Sequence, residues 1–401
     1  MKKLLFLVAE DSYFCSHRLN LAKAAIAAGY QVAVATRCLR CTETIRAAQI
    51  QVFPLQHFSR AGVNPIRQFK LLHELQHIYR TYQPDIVHHV AIKPVIMGSL
   101  VAQWCGIKRV INALGGLGYL FTDPSPGASH PPLPRQHPHP PFGHPLPQAG
   151  EGKKKKFLRF FVCRIFRFIF SRPNSILILQ NQDDVETLVK YHCLNRKRAQ
   201  IIAGAGVDMN AFPITTPPAA PPVIIACVAR LLWDKGIGEL VKATEIIRNQ
   251  GFAVNVLLYG MPDPENPASI PEAQILAWQA SGIITWKGQC NDVAKAYAEC
   301  HIAVLPSYRE GLPKSLLEAA SSGRPIVTTD VPGCREVVIN GENGFLVPAK
   351  TSISLANALI KLIENEALRN QMGEAGRKRV AKYFNDPIIH EQTLALYAKS
   401  F

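Results

Sequence analysis

Short apolar runs alternate with longer amphipathic stretches along most of the chain. Apolar runs such as Leu4–Ala9 are typical of buried strands, whereas the helical spacing of apolar residues in His17–Ala28 predicts a helix that Gly29 ends. The polar segment Asp11–Ser16 between them is predicted to be a loop. The strands predicted in the N-terminal half are Leu4–Ala9, Gln31–Thr36, Ile50–Leu55, Asp85–Val90, Arg109–Ala113 and Ser175–Gln180, and the longer helices are His17–Ala28, Ile66–Tyr82 and Pro94–Trp104.

The same alternation begins again after a proline-rich segment. Residues 213–222 contain five prolines and are predicted to be a linker. Alternating strands and helices predict parallel sheets covered by helices, so we expect an α/β protein with two Rossmann-like domains. Ligands of such sheets bind at the carboxyl ends of the strands. The strands predicted beyond the linker are Val223–Val228, Val254–Tyr259, Ile283–Trp286, Ile302–Leu305 and Pro325–Thr328, with a turn and strand over 341–347.

Two segments interrupt this pattern. Residues 123–150 hold ten of the thirty prolines together with four histidines, so they are predicted to be a flexible insert without a core. The four lysines Lys153–Lys156 then lead into Phe157–Phe170, which is rich in phenylalanine and arginine. This stretch is too short and too basic to span a bilayer. It suits a helix on an anionic membrane surface, or a domain helix whose arginines are solvated.

Composition narrows the class of partner. The 401 residues are 48% hydrophobic and 18% charged, which is typical of a globular protein with two or three domains. The formal net charge of +16 indicates an anionic partner, and without a nucleic-acid-binding motif we expect a lipid surface or a phosphorylated substrate. The ten scattered cysteines and the lack of a visible secretory signal favour reduced thiols in the cytoplasm. The lone C-x-x-C at Cys38–Cys41 has no second pair and does not predict a zinc site.

The most informative stretch lies between a predicted strand and a predicted helix. The apolar strand Ile302–Leu305 precedes it, and a helical pattern begins at Pro313. Exposed N–H groups at a helix start attract phosphate. Glu310 in the loop and Glu318 in the second helical turn are suited to accept hydrogen bonds from hydroxyl groups. A phosphate flanked by hydroxyls describes a nucleotide sugar.

These two glutamates resemble the Glu-x7-Glu motif of the retaining glycosyltransferases of family 4, which have the GT-B fold. The resemblance implies that Glu310 contacts the donor sugar and Glu318 the ribose. Arg230 and Lys235, five positions apart at a strand end, match the pair that the family places on the donor diphosphate. The remaining donor-binding candidates that it implies are Gly311, Leu312, Pro313, Lys314 and Ser315 around the diphosphate, and Gly260, Gly288 and Gln289 at the strand ends that frame the base.

The carboxyl ends of the N-terminal strands supply candidates for acceptor binding. A Ser-His-Arg segment similar to the one at residues 16–18 occurs in the subgroup that builds lipid-linked oligosaccharides. The family commonly has a histidine at the place of His88, near donor and acceptor, although a core histidine with a satisfied ring is an equal alternative. The acceptor-binding candidates are Ser16, His17, Arg18, His89, Asn112, Gly116 and Gly118.

The resemblance therefore implies a two-domain GT-B enzyme. Residues 1–212 would bind the acceptor, 223–382 the nucleotide sugar, and 383–401 would form a helix that crosses back to the first domain. The expected reaction moves an N-acetylhexosamine such as GalNAc from a UDP-sugar to an undecaprenyl-diphosphate-linked saccharide, with retention and without a metal or other cofactor. The expected catalytic residues are Glu310, Arg230, Lys235 and His88.

The expected location is peripheral, on the inner face of the cytoplasmic membrane, because the implied acceptor is a lipid. Two other classes stay open at this point. One is a nucleotide-sugar epimerase or hydrolase on the same fold. The other is a non-catalytic protein that binds a membrane surface.

Overall fold

The structure is a computed structural model that describes residues 1–59, 64–117, 121 and 151–399, with side chains from 157 onward in the last range. The predicted insert at 123–150 and the candidate Gly118 lie outside the described residues. The side chains of Lys153–Lys156 also lie outside them.

The N-terminal domain is built on a seven-stranded sheet in the order β3-β2-β1-β4-β5-β6-β7. All of its strand pairs are parallel. Its strands are β1 Lys3–Glu10, β2 Gln31–Arg37, β3 Gln51–Pro54, β4 Ile86–Val90, β5 Arg109–Ala113, β6 Ser175–Leu179 and β7 Ala199–Ile201. Successive residues of β1 enter different core clusters, with Leu4 and Phe6 in one and Leu5 and Leu7 in the other. Both faces of the sheet are therefore covered, which explains the continuous apolar runs.

The C-terminal domain is built on a second parallel sheet, with six strands in the order β10-β9-β8-β11-β12-β13. Its strands are β8 Val223–Val228, β9 Val254–Tyr259, β10 Thr285–Gly288, β11 Ile302–Leu305, β12 Ile326–Thr329 and β13 Gly344–Val347. The two sheets confirm the predicted α/β architecture of two Rossmann-like domains. The edge strand β10 begins two residues later than the predicted Ile283–Trp286.

Helices connect the strands of both sheets. The N-terminal helices are α1 Asp11–His17, α2 Leu19–Ala27, α3 Thr42–Ala47, α4 Pro65–Tyr82, α5 Ile92–Trp104, α6 Glu151–Phe170 and α7 Gln182–Lys190. The C-terminal ones are α8 Ile237–Asn249, α9 Glu272–Ala280, α10 Val293–Ala298, α11 Lys314–Ser321, α12 Cys334–Val337, α13 Ser352–Glu364, α14 Glu366–Tyr383 and α15 Asp386–Ala398. The last helix, α15, returns to the N-terminal domain and packs on α2, where Ile389, Leu396 and Tyr397 join its core.

The predicted loop Asp11–Ser16 is wrong, because these residues belong to α1. Asp11 lies in the first turn, where a carboxylate is favoured by the helix dipole. Its Oδ2 accepts hydrogen bonds from the backbone N–H groups of Leu39, Arg40 and Cys41 at 2.8, 3.0 and 2.9 Å. The C-x-x-C segment is thus folded around a carboxylate of the first helix.

Candidate active site

The loop that follows β11 brings Glu310 against Lys235. Lys235 ends a 3-10 turn after β8, the strand next to β11, and its Nζ donates to Glu310 Oε1 at 2.5 Å. Both side chains are mostly buried, with 17% and 12% of their surface exposed. Two of the predicted catalytic residues are therefore in contact at the carboxyl edge of the C-terminal sheet, where ligands of such sheets bind.

Arg230 lies on the same loop as Lys235 but has a different partner. Its Nη1 donates to Asp263 Oδ2 at 2.9 Å, and about half of its side chain (53%) is exposed. Asp263 follows Gly260 by three residues in the loop after β9, and sequence reasoning missed it because nothing in that loop matched a motif. The ion pair holds the Arg230 guanidinium beside the carboxyl end of β9.

Helix α11 carries the second glutamate of the motif. The helix begins at Lys314, so Pro313 is its N-cap residue rather than its first residue. Lys314 Nζ lies 3.0 Å from Glu318 Oε1 and also donates to the Ser16 carbonyl of the N-terminal domain at 2.7 Å. Glu318 is buried, and burial raises its pKa while Lys314 opposes the rise. The Ser315 carbonyl accepts a hydrogen bond from the hydroxyl of a neighbouring buried tyrosine at 2.7 Å.

The backbones of the two domains pack closely against each other at Gly311. A Cβ placed on Gly311 would lie 2.2 Å from the Gly115 carbonyl oxygen, far inside van der Waals contact. The Asn181 side chain donates from Nδ2 to the Gly311 carbonyl at 2.8 Å, and the Gly116 backbone lies against the same residue. Glycine is thus required at 311 because the backbone of the other domain occupies the place of a side chain.

The remaining donor-side candidates line the strand ends beside this point. The Gly260 N–H donates to the Gly288 carbonyl at 2.7 Å, which joins the ends of β9 and β10. Gln289 Oε1 accepts a hydrogen bond from Arg40 of the N-terminal domain at 2.6 Å. Leu312 is buried under Gly204, where a Cβ would meet its Cδ2 at 2.6 Å. Of these candidates, Gln289 and Leu312 contact the N-terminal domain, and Gly260 lies against Ala229 of its own domain.

Two ion pairs that sequence analysis missed tie the domains together beside the Glu310 loop. Arg309 Nη2 lies 2.7 Å from Asp184 Oδ1, and Arg335 Nη1 lies 2.9 Å from Asp183 Oδ2. Asp184 is fully buried, and burial raises its pKa while Arg309 opposes the rise. The sequence signal in this segment was a helix cap, and Asn181 does accept the Asp184 N–H at 2.8 Å. No local sequence pattern indicated that Asp183 and Asp184 would pair with arginines of the other domain.

On the acceptor side, Arg18 and His88 line one small cavity. The cavity has about 10 Å³, room for one water-sized molecule, and Gln180 also borders it. Arg18 Nε, His88 Nε2 and Gln180 Oε1 are buried and have no hydrogen-bond partner in the part of the chain that the structure describes. His88 Nδ1 is 2.5 Å from the Tyr397 hydroxyl, and burial lowers the pKa of His88 well below its ordinary value. The catalytic role of His88 stays a prediction.

The two other residues of the predicted Ser-His-Arg segment lie at the end of α1. The Ser16 hydroxyl is 2.7 Å from His17 Nδ1, and the His17 ring stacks on Tyr13 with 4.1 Å between ring centroids. Ser16 is exposed, and its carbonyl receives Lys314 from the other domain. The segment therefore forms one wall of the cleft.

His89 and Asn112 are not in the cleft, which corrects the expected acceptor contacts. Both are fully buried between the sheet and helices α4 and α5. His89 Nε2 is 2.8 Å from the Tyr79 hydroxyl, and its Nδ1 is 2.9 Å from Asn112 Oδ1. Because neighbouring residues of a strand point to opposite faces, His88 and His89 lie on different sides of the sheet.

Among the described residues, no three His, Cys, Asp or Glu side chains come close enough together to hold a metal ion. In the same part of the chain, no helix is long and apolar enough to cross a membrane. All ten cysteines are unpaired thiols.

Known families match both domains. The description "Glycosyl transferase 4-like" matches residues 3–135, and "Glycosyl transferases group 1" matches residues 213–379. The chain belongs to the glycosyltransferases. The second match contains Arg230, Lys235, Glu310 and Glu318, so the candidate donor side of this glycosyltransferase lies wholly within it.

Several known proteins resemble this glycosyltransferase along most of its length. N,N'-diacetylbacillosaminyl-diphospho-undecaprenol alpha-1,3-N-acetylgalactosaminyltransferase of Campylobacter jejuni is 25% identical over 368 residues, which cover 89% of this chain and 88% of the relative. UDP-Gal:alpha-D-GlcNAc-diphosphoundecaprenol alpha-1,3-galactosyltransferase of Escherichia coli is 21% identical, with coverage of 81% and 78%. The crystal structure of Anabaena Alr3699/HepE in complex with UDP and glucose superposes with a TM-score of 0.73 at 16% identity, and covers 99% of this chain and 100% of that one. The fold of this glycosyltransferase is GT-B.

Proposed function

We propose that this glycosyltransferase moves an N-acetylhexosamine, such as N-acetylgalactosamine, from a UDP-sugar to an undecaprenyl-diphosphate-linked saccharide. The names of both relatives support the acceptor, since each describes transfer to a sugar on diphospho-undecaprenol. The reaction would serve the synthesis of a surface polysaccharide or glycan at the inner face of the cytoplasmic membrane. The observation that carries the proposal is the contact of Lys235 with Glu310 beside the start of α11.

The charges around this contact suit a nucleoside diphosphate. The N-terminal N–H groups of α11 and the Lys235 ammonium are both positive, and they converge where a diphosphate would leave. Arg230, half exposed on the same loop, adds a planar cation that can bind two phosphate oxygens at once. A donor bound there would take over the Lys235 contact and leave Glu310 to accept hydrogen bonds from the sugar hydroxyls. These groups would neutralise the leaving diphosphate without a metal ion.

The transfer itself exchanges one bond of the anomeric carbon for another. The bond from the anomeric carbon to the diphosphate oxygen breaks, and a bond to the acceptor hydroxyl oxygen forms on the same face of the sugar. The hydroxyl proton passes to the leaving diphosphate. Lys235, Arg230 and the start of α11 stabilise the negative charge as it develops, which is the main contribution that the protein makes.

The burial of Arg18 without a counter-charge indicates that the acceptor carries an anionic group. The residue Arg18 is 5% exposed, its buried Nε has no hydrogen-bond partner, and within the described chain no carboxylate pairs with it. A buried charge without a counter-charge is costly, so an incoming phosphate would relieve that cost. Lys314, whose Nζ reaches Ser16 across the cleft, brings a second cation to the same wall. The diphosphate of a polyprenyl-linked acceptor has the required charge.

Glu318→Gln is expected to stabilise the protein at neutral pH and to weaken donor binding. Burial raises the pKa of Glu318, so the ionised form is disfavoured in the folded state. The resulting loss of stability is absent below the ordinary carboxyl pKa and grows as the pH rises through it. Removing the charge should therefore raise Tm at pH 7 by about 2 °C or more, and by less at pH 4. Because Glu318→Gln removes a charged hydrogen-bond acceptor for the ribose hydroxyls, it should raise the KM of the nucleotide sugar roughly tenfold.

The matched control for this variant is Glu374→Gln on α14, where an exposed carboxylate pairs with Lys378. It should change neither Tm nor KM. The account of Glu318 is wrong if Glu318→Gln lowers Tm at pH 7 or leaves the KM at its wild-type value.

The proposed function is tested with bacterial membranes and a panel of labelled nucleotide sugars. Label from a UDP-N-acetylhexosamine should enter the lipid extract, and should do so equally in the presence of EDTA. Free nucleoside diphosphate without labelled lipid would indicate a hydrolase or epimerase. Membrane binding without either product would indicate a non-catalytic protein.

A further inference from the structure

Helix α6 has one face in the core of the N-terminal domain. Val162, Phe166, Ile169 and Phe170 are buried in a cluster with strand β6 and helix α7. Arg159 lies on the border of this face, with its guanidinium 4.4 Å from the centroid of the Tyr191 ring. The inner face therefore accounts for part of the aromatic content of the helix but not for the rest.

The opposite face of α6 is a row of exposed phenylalanines with arginines between them. At about 100° per residue, its members fall within an arc of about 120°. The four phenylalanines have between 45% and 66% of their surface exposed. Arg164 lies in the middle of the arc, 5.9 Å from the Phe160 ring centroid. We call this surface the outer face of α6, and its members are Phe157, Phe160, Phe161, Arg164, Arg167 and Phe168.

The start of this outer face lies near the rim of the cleft. Helix α6 follows β5 and precedes the parallel strand β6, so its first turns lie at the carboxyl edge of the sheet. A chain of contacts runs from there to the Glu310 loop. Arg159 contacts Tyr191, the Tyr191 and Phe121 rings are 5.9 Å apart, and the Phe121 carbonyl accepts a hydrogen bond from Arg309 at 3.2 Å.

We propose that the outer face of α6 docks this protein on an anionic membrane surface and brings the cleft to the lipid headgroups. Exposed phenylalanines enter the boundary between headgroups and acyl chains, and the arginines among them bind anionic headgroups. Two further exposed apolar residues, Ile66 and Phe69 (70% each), lie at the start of α4, which packs on α5, as α6 does. The proposal rests on the proposed function for its purpose, since a polyprenyl-linked acceptor is held in a bilayer.

The position of the arginines favours a membrane over a protein partner. A protein partner seated on the phenylalanines would have to remove Arg164, in the middle of the outer face, from water and supply its guanidinium with a counter-charge. A bilayer imposes no such cost, because an arginine can lay its apolar stem along the lipid and keep its guanidinium among the phosphates. The net charge of +16 adds a long-range attraction to the same surface.

Vesicle flotation of the full-length protein, without donor or acceptor, tests this docking surface. The vesicles contain equal parts of phosphatidylcholine and phosphatidylglycerol, with pure phosphatidylcholine as the comparison. The triple variant Phe157→Ser/Phe161→Ser/Phe168→Ser should lower the affinity for anionic vesicles roughly tenfold or more. Arg164→Gln/Arg167→Gln should lower it roughly tenfold and weaken its dependence on salt. The control variant is Trp104→Ser. Trp104 is as exposed as the phenylalanines but is the last residue of α5 and lies off the outer face of α6, so this variant should bind vesicles as wild type does.

The proposal is overturned if wild-type protein does not float with anionic vesicles, or if the triple variant floats as well as wild type. A triple variant that changes from dimer to monomer while it keeps its vesicle affinity would assign the surface to a second copy instead. Because no sugar substrate is present, the docking surface can fail while glycosyl transfer stands. Conversely, vesicle binding can succeed in a protein that transfers no sugar.

Discussion

Replacing Lys235 with alanine is expected to lower kcat by roughly 10²–10³-fold, as for the loss of one group that stabilises developing charge. The Lys235 ammonium touches the Glu310 carboxylate at 2.5 Å in a mostly buried setting. Its removal takes a cation from the leaving diphosphate and also leaves Glu310 without its counter-charge. Arg230→Ala should cost roughly 10²-fold by the first of these effects alone.

The matched control for both variants is Lys242→Ala, which removes an exposed lysine from α8 in the same domain. It should leave kcat unchanged. Single-turnover measurements at saturating donor separate the chemical step from binding. Near-normal turnover in both Lys235→Ala and Arg230→Ala would remove this pair from the mechanism.

Gly311→Ala is expected to lower kcat by roughly 10²-fold while the domains stay folded. The added methyl carbon would lie 2.2 Å from the Gly115 carbonyl oxygen, so the two domains must move apart before it fits. A displacement of about 1 Å between reacting groups costs on the order of 10²-fold in rate. Because the obstruction lies between the domains and not inside a core, Tm should change little.

Gly238→Ala on α8 is the control, since its methyl group would meet Trp233 at an ordinary 3.4 Å. It should retain wild-type kcat. If Gly311→Ala also retains wild-type kcat, the contact of Gly311 with Gly115 has no part in the active arrangement of the domains.

The strands could be predicted from the sequence because both sheets are buried on two faces. Continuous apolar runs result, and Arg109–Ala113, Val223–Val228, Val254–Tyr259 and Ile302–Leu305 have the predicted bounds. The edge strand β10 is paired on one side, so its pattern is weaker and its start was misplaced by two residues.

Helix α1 could not be predicted, since part of its support comes from distant residues. It has seven residues, too few for a clear helical period. Asp11 is anchored by N–H groups of residues 39–41, and nothing local in the sequence indicates that contact. The spacing of apolar residues alone therefore favoured a loop for this segment.

The donor side of the site could be inferred from the sequence more fully than the acceptor side. Glu310 and Glu318 lie on one strand–loop–helix unit whose local pattern is visible. The pairing of Arg309 with Asp184 joins residues 125 positions apart, so it depends on how the domains meet. His89 was misplaced because the sequence does not say which face of β4 meets the cleft.

The most direct test uses purified protein, a labelled UDP-N-acetylhexosamine and a short-chain polyprenyl-diphosphate-linked saccharide. We expect one UDP to be released for each sugar found on the acceptor, and the anomeric configuration of the donor to be retained in the product, as NMR would show. UDP released at the same rate without acceptor, and no sugar on the lipid, would contradict it.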